Sequence, residues 1–338
     1  MPEKLDTAAW YRRFALIETR GYSATYDAWC TGISEDSDLL VVLDQLPAAK
    51  RQPNLLLGAA RFHGAQPGPY PEFRAFLLER WPQVRETMLA RSTQTNEAGR
   101  CAVLLPLLAQ IASGSGDENT PLALIEVGAS AGLCLYPDRY GYSYDGGPVL
   151  SAGEVPGPLV MECATTGGPP LPGRVPRVSF RAGLDLNPLD VANDDDVAWL
   201  EALVWPEHTH RLDRLRAAVA VARREPPLLV MGDLAVDLEE LVQRAPADAT
   251  VVVFHSAVLA YVDEAGRKAF RDTMLRLTAD RNRPLHWLSN EGYGVLPGVE
   301  GALKKEDVEI DRLFVLAHNG RAVARTGGHG QSLDWLSR

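Results

Sequence analysis

The spacing of apolar residues changes character near residue 115. From Ala8 to about Ala112 they recur at helical intervals: Trp10-x-x-Arg-Phe14-Ala-Leu16-Ile17, Leu39-Leu-Val-Val-Leu43, Phe73-x-x-Phe76-Leu77-Leu78 and Cys101-x-x-Leu104-Leu105-x-Leu107-Leu108. Breakers fall at Thr31-Gly-Ile-Ser-Glu-Asp36, at Pro47 and at Gly64-Ala-Gln-Pro-Gly-Pro-Tyr-Pro71. This pattern predicts an all-helical N-terminal region, residues 1–115, of about six short helices.

Beyond it the apolar runs shorten to strand length. Leu122-Ala-Leu-Ile125, Arg177-Val-Ser-Phe-Arg-Ala182, Pro227-Leu-Leu-Val-Met231, Thr250-Val-Val-Val-Phe254-His-Ser256 and Leu285-His-Trp-Leu288 alternate with stretches that read as helices around 199–205, 211–222 and 264–279. The segments 312–317 and 321–325 flank His318-Asn319-Gly320, a signal for a two-residue hairpin turn. Five strands alternating with helices give a doubly wound, mostly parallel α/β sheet, here in a second domain at 116–338 that ends in an antiparallel hairpin. Residues 141–178 interrupt the alternation. Tyr140, Tyr142 and Tyr144 are followed by so many glycines and prolines that no regular connection forms, and a short-stranded inserted arm is expected, able to close over a site or to join a second subunit as a homo-oligomer.

Composition narrows the picture. The 338 residues are 46% hydrophobic and 23% charged with a net charge of −10, which suits an ordinary globular core and argues against broad nucleic-acid or anionic-membrane binding. An apolar run long enough for a membrane helix and a signal-like start are both missing, so a cytoplasmic location is expected. Cys30, Cys101, Cys134 and Cys163 are scattered without a Cys-x-x-Cys pair, the usage of reduced, mostly buried thiols, and neither disulfides nor a metal site is expected.

The chemistry concentrates in Leu122-Ala-Leu-Ile-Glu126-Val-Gly128-Ala-Ser130-Ala-Gly132. It reads as a buried strand turning sharply into a helix, the place where open α/β sheets bind ligands, with backbone N–H groups at the helix start available to them. As acidic-x-Gly-x-x-x-Gly it resembles the first motif of S-adenosylmethionine-dependent methyltransferases. As Gly128-x-Ser130-x-Gly132 it matches the nucleophile elbow of α/β-hydrolases. A tight turn without a ligand is the third reading. Asp185, in Gly183-Leu-Asp185-Leu-Asn187-Pro188, ends the second strand as ribose-binding carboxylates do, or else caps a turn. The polar run before Cys101 offers Gln94, Asn96, Glu97 and Arg100 as substrate contacts, joined by Arg139 and Tyr140 after the turn. Asn96 also suits an N-cap and Glu97 a helix start. His208 and His210 suit a surface better than a metal site.

Arg51-Gln-Pro-Asn-Leu-Leu, Gln94-Thr-Asn-Glu-x-x-Arg100-Cys, Glu126-Val-Gly-Ala-Ser-Ala-Gly-Leu, Asp138-Arg-Tyr, Gly183-x-Asp185-x-Asn187-Pro-x-Asp190, Trp205-Pro and Phe254-His-Ser-Ala-Val together resemble a family of uncharacterised bacterial proteins, a domain of unknown function. That resemblance covers nearly the full length and implies no activity. The likeness to methyltransferases implies a Rossmann sheet of their type binding S-adenosylmethionine. Glu126, Gly128, Ser130 and Gly132 would lie on its methionine side, Asp185 and Asn187 at the ribose, and Gly232 and Asp233 at the adenine. His255 would face the transferred methyl as base, near Tyr261 or Glu291. Two departures stand out: Ser130 occupies a frequent glycine position, and Asp185 follows Glu126 by 59 residues (185 − 126) instead of roughly 20. The expectation is a methyltransferase acting on a small molecule. The alternatives are a non-catalytic ligand-binding scaffold, or a serine hydrolase using Ser130 with Asp233 and either His255 or His329.

Overall fold

The computed structural model describes residues 6–114, 120–280, 284–296, 298–299, 303 and 313–336. The chain opens with α1 Thr7–Phe14, α2 Ala24–Glu35, α3 Ser37–Leu43, α4 Pro53–Phe62, α5 Tyr70–Ala90 and α6 Cys101–Gly114, the six helices that the apolar spacing predicts. Their starts are specified locally. Asp6, Ser23 and Asp36 accept hydrogen bonds from the first-turn amides of α1, α2 and α3, and prolines begin α4 and α5 where a missing N–H costs nothing. The break expected over 31–36 is narrower than the sequence suggests, because α2 runs through it to Glu35. Gly32 is a packing position there: a Cβ would lie 2.3 Å from the ring of Tyr70, so the glycine admits an aromatic ring and does not end the helix.

The chain continues through β1 Leu122–Val127, β2 Gly141–Tyr144, β3 Val160–Thr166, β4 Val178–Asp185, α7 Asp194–Leu203, α8 Thr209–Arg224, β5 Leu228–Met231, α9 Leu238–Gln243, β6 Thr250–Ser256, α10 Glu264–Ala279, β7 Leu285–Gly292, β8 Phe314–His318, β9 Arg321–Thr326 and β10 Ser332–Trp335. All ten strands join one sheet in the order β2-β3-β10-β9-β8-β7-β6-β1-β4-β5. β5, β4, β1, β6 and β7 are parallel neighbours, followed by the antiparallel β8 and β9. β1 is central and wholly buried, which is why its run is apolar without alternation. Arg312, the expected start of the hairpin, lies outside the described residues.

One feature differs from the sequence reading. β1 does not run into a helix: after Gly132 come only the short 3₁₀ turns Leu133–Leu135 and Pro137–Arg139, so no long helix offers its N-terminus to a ligand there. Pro137 explains part of this, since it follows the first turn at once and cannot continue it. Residues 141–178 carry short strands, as expected. β2 pairs with β3, and β3 adds in parallel to β10 through Ser332 opposite Ala164, so the insertion extends the sheet.

The chain divides into two compact units, Met1–Thr95 with Ala192–Asp213, and Asn96–Val191 with Arg214–Arg338. In the second unit Ile125, Val127, Val251, Val253, Phe270, Met274 and Trp287 pack α9 and α10 onto one face of the sheet. Among the described residues no helix is long and apolar enough to cross a membrane.

Candidate ligand site at the carboxyl edge of the sheet

In the parallel core the chain moves from β1 outward to β4 and β5, then returns to the other side of β1 for β6 and β7. The carboxyl ends of β1 and β6 therefore flank a topological switch point, where open α/β sheets bind ligands. β9 runs parallel to β7, so the loop after Thr326 lies at the same edge.

The turn after β1 is held by neighbours on several sides. Gly128, Ser130 and Gly132 have φ of +69°, +51° and +72°. Glycine adopts such angles without cost, while serine there is strained. The Gly128 amide donates to Leu184 O (2.7 Å) and the Ser130 amide to Asp185 Oδ2 (2.8 Å). The Asn96 side chain spans the turn, donating to Ala129 O and accepting from the Leu133 amide, both at 2.8 Å. Asn96 is thus a clamp and not the N-cap its sequence context suggests; Glu97 caps the short turn Ala98–Arg100 by accepting from the Gly99 amide.

Asp185 joins three loops. Besides the Ser130 amide, its carboxylate accepts from the Asn187 amide (2.8 Å), and its carbonyl accepts from the Gly232 amide (3.0 Å). The loops after β1, β4 and β5 therefore meet at this residue. Leu186 follows Asp185 and Met231 is its partner in register; they are 72% and 70% exposed, and Val236, on the loop after β5, is 75% exposed. Asp233 is exposed and accepts from the Ala235 amide (2.7 Å).

Two buried oxygens in this region, Glu126 Oε2 and Ser130 Oγ, have no hydrogen-bond partner. Leaving a buried polar group unsatisfied costs about 1–3 kcal/mol, so this pair makes the turn after β1 a candidate for a ligand contact. Burial, then Cys134 and Asp185, push the Glu126 carboxyl well above the usual carboxylate range, against the opposing pull of Arg100.

The β6 side is different. His255 is fully buried: its Nε2 accepts from the Trp287 indole N–H (3.0 Å), which leaves Nδ1 to donate to Glu291 Oε1 (2.6 Å). Glu291 also accepts from the Val258 and Leu259 amides, at 3.0 and 3.3 Å. Asn290 bonds Ser256 Oγ (2.9 Å) and Thr326 Oγ1 (2.7 Å). Both ring nitrogens of His255 are committed, so it is a framework residue and not an accessible base. Tyr261 sits on the turn Leu259–Tyr261 and is 75% exposed.

The other candidates separate as clearly. Arg100 is buried and donates to Gly328 O and Ser256 O, both at 3.0 Å, tying two edge loops together. Glu97 accepts from Arg214 (3.0 Å), with His329 Nδ1 3.9 Å away. Arg139 pairs with Glu225 at 2.8 Å, and Tyr140 is buried with its hydroxyl donating to Leu133 O. Gln94 belongs to the helical unit, half-buried on the stretch after α5. The residues missed by sequence reasoning are Leu186, Met231, Val236 and Val258. Only Leu186 gave a signal, as an apolar side chain next to a strand-end acid in a polar loop.

With this geometry in view, the chain belongs to the family described as an uncharacterized protein conserved in bacteria, DUF2332, whose model matches residues 8–335. No curated protein and no solved structure matches it.

Proposed function

We propose that the switch-point crevice binds the adenosyl group of S-adenosylmethionine and that the protein is a methyltransferase acting on a small molecule. The observation that carries the reading is the meeting of the three loops at Asp185, beside the partnerless Glu126 Oε2 and Ser130 Oγ. The parallel strands run in the order third, second, first, fourth, fifth, which suits a nucleotide-binding sheet of the methyltransferase type. In that type the last strand inserts antiparallel beside the fifth, whereas here β8 takes the place and β9 follows as a simple hairpin.

The residues fit the nucleoside half of the cofactor. The Asp185 carboxylate has lone pairs left to accept from ribose hydroxyls, and Leu186, Met231 and Val236 offer apolar cover for a base next to Asp233. Burial pushes the Glu126 carboxyl well above the usual carboxylate range, which favours the protonated form, able to donate a hydrogen bond as well as accept one. Bound there, S-adenosylmethionine supplies an already activated methyl, so alignment is the main task left to the protein. His255 moves no proton in this scheme, and the acceptor must be one that loses its proton without it.

That last point favours a second reading, a binding protein without catalysis, because the histidine placed nearest the crevice by sequence is committed on both nitrogens. Isothermal titration with S-adenosylhomocysteine and adenosine tests the binding common to both. Heat that saturates at one ligand per chain is expected, and no heat at about millimolar ligand, the upper end of typical KM values, would sink both. Turnover of any methyl acceptor separates the two.

A further inference from the structure

The strongest unexplained contact at the carboxyl edge lies across the switch point itself. A Cβ on Gly128 would sit 2.3 Å from Val258 Cγ2, 2.6 Å from Cγ1 and 3.0 Å from Cβ. The Val258 side chain therefore covers Gly128 face-on, filling the space between the turn after β1 and the turn after β6. The second turn is held in an unusual shape. Ala257 has φ +59°, a region that a residue with a Cβ seldom adopts, and its amide donates to Asn290 O (3.0 Å). The Val258 amide donates to both Glu291 oxygens, at 3.0 and 3.2 Å. Strain of this kind persists only where surrounding bonds impose it, and here the Asn290 carbonyl and the buried Glu291 carboxyl hold the two successive amides.

The nucleoside half of the crevice lies on the other flank of β1, around Asp185, Leu186 and Met231, where the side chains stay exposed. A ligand that ends near the ribose needs nothing from Val258. One that carries a long 5′ substituent from there toward the switch point must pass where Val258 packs on Gly128.

We propose that Val258 determines ligand specificity at this site: it admits nucleosides with short 5′ groups directly and admits a 5′-thioether bearing an amino-acid arm only when the Val258 side chain turns off Gly128, the backbone of the turn staying in place. This inference rests on the adenosyl reading above and adds which part of the ligand is controlled. The side chain packed on Gly128 taxes long ligands alone, since apparent affinity scales with the fraction of molecules in the competent state.

The test is titration calorimetry of the full chain and its Val258→Ala and Val258→Ile variants with adenosine, 5′-methylthioadenosine and S-adenosylhomocysteine. Val258 is only half-buried, so both variants should fold, and their thermal unfolding midpoints check this. Adenosine and 5′-methylthioadenosine should bind all three proteins within about twofold. S-adenosylhomocysteine should bind Val258→Ala at least ~10-fold more tightly than the parent, and Val258→Ile more weakly. Equal affinity of the three proteins for S-adenosylhomocysteine overturns the role of Val258 and leaves the adenosyl reading intact. Failure of all three nucleosides to bind any of the proteins overturns both.

Discussion

The two flanks of the switch point are built on opposite principles. On the β6–β7 side His255, Asn290 and Glu291 are buried, and their polar atoms are paired with Trp287, Ser256, Thr326 and the amides of Val258 and Leu259. On the β1–β4 side Glu126 Oε2 and Ser130 Oγ have no partner, and the strand ends expose Leu186 and Met231. A saturated polar network fixes a shape, whereas an unsaturated one next to open apolar surface is available to something else. The lesson concerns residue type: the histidine and glutamate that look catalytic by chemistry are buried and paired, and the unpaired or exposed groups are a serine, a buried carboxyl and aliphatic side chains.

Breaking the framework side should have the largest effect. His255→Ala removes one donor from the buried Glu291 carboxyl, leaves the Trp287 N–H unpaired and opens a cavity, and a loss of about 3–5 kcal/mol in urea unfolding is expected; a cost under about 1 kcal/mol would erase the contrast. Next comes Gly128→Ala, which combines a positive φ with a collision with Val258. About 2–4 kcal/mol should be lost, and adding Val258→Ala should return part of it in a double-mutant cycle. Strict additivity would mean that the two side chains do not meet.

Asp185→Asn sharpens the comparison from the ligand side. It should weaken adenosine binding by roughly 10- to 100-fold, the value of hydrogen bonds to a charged group, while costing only about 1 kcal/mol of stability. Unchanged adenosine affinity would remove Asp185 from the site. Glu126 predicts a pH effect. Its folded-state carboxyl holds a proton that the unfolded chain releases above the ordinary carboxylate value, so its contribution is full in acid and is lost as pH rises toward the folded value. Glu126→Gln should match the parent near pH 4 and exceed it near pH 8 in melting temperature, since the amide mimics the protonated acid. Parallel pH profiles would contradict this. The smallest effect is expected for Ser130→Ala, within about 0.5 kcal/mol or slightly stabilising, because it removes an unsatisfied hydroxyl. Labelling of Ser130 by a fluorophosphonate would instead revive the hydrolase alternative.

Much of the architecture could be read from the chain. The helical spacing before residue 115, the five parallel strands and the hairpin each carry a local signal strong enough to survive packing. The bounds and partners of β2 and β3, expected only as short strands in 141–178, and β10 altogether were hidden, since four- to seven-residue strands of this kind pair only because distant partners meet. Within the site, the glycine turn and Asp185 were legible because positive φ and a strand-end acid restrict residue choice. The fate of Asn96, Arg100 and His255 was not. Whether a polar side chain faces a ligand or a neighbouring loop depends on contacts up to 228 residues apart in sequence, as between Arg100 and Gly328.

The central claim is that the open, unsaturated flank receives a nucleoside, and a crystal structure of the chain soaked with adenosine tests it most directly. The account predicts ribose hydroxyls on the Asp185 carboxylate and the base against Leu186 and Met231. Well-ordered adenosine elsewhere, or a clean crevice at saturating ligand, would contradict it.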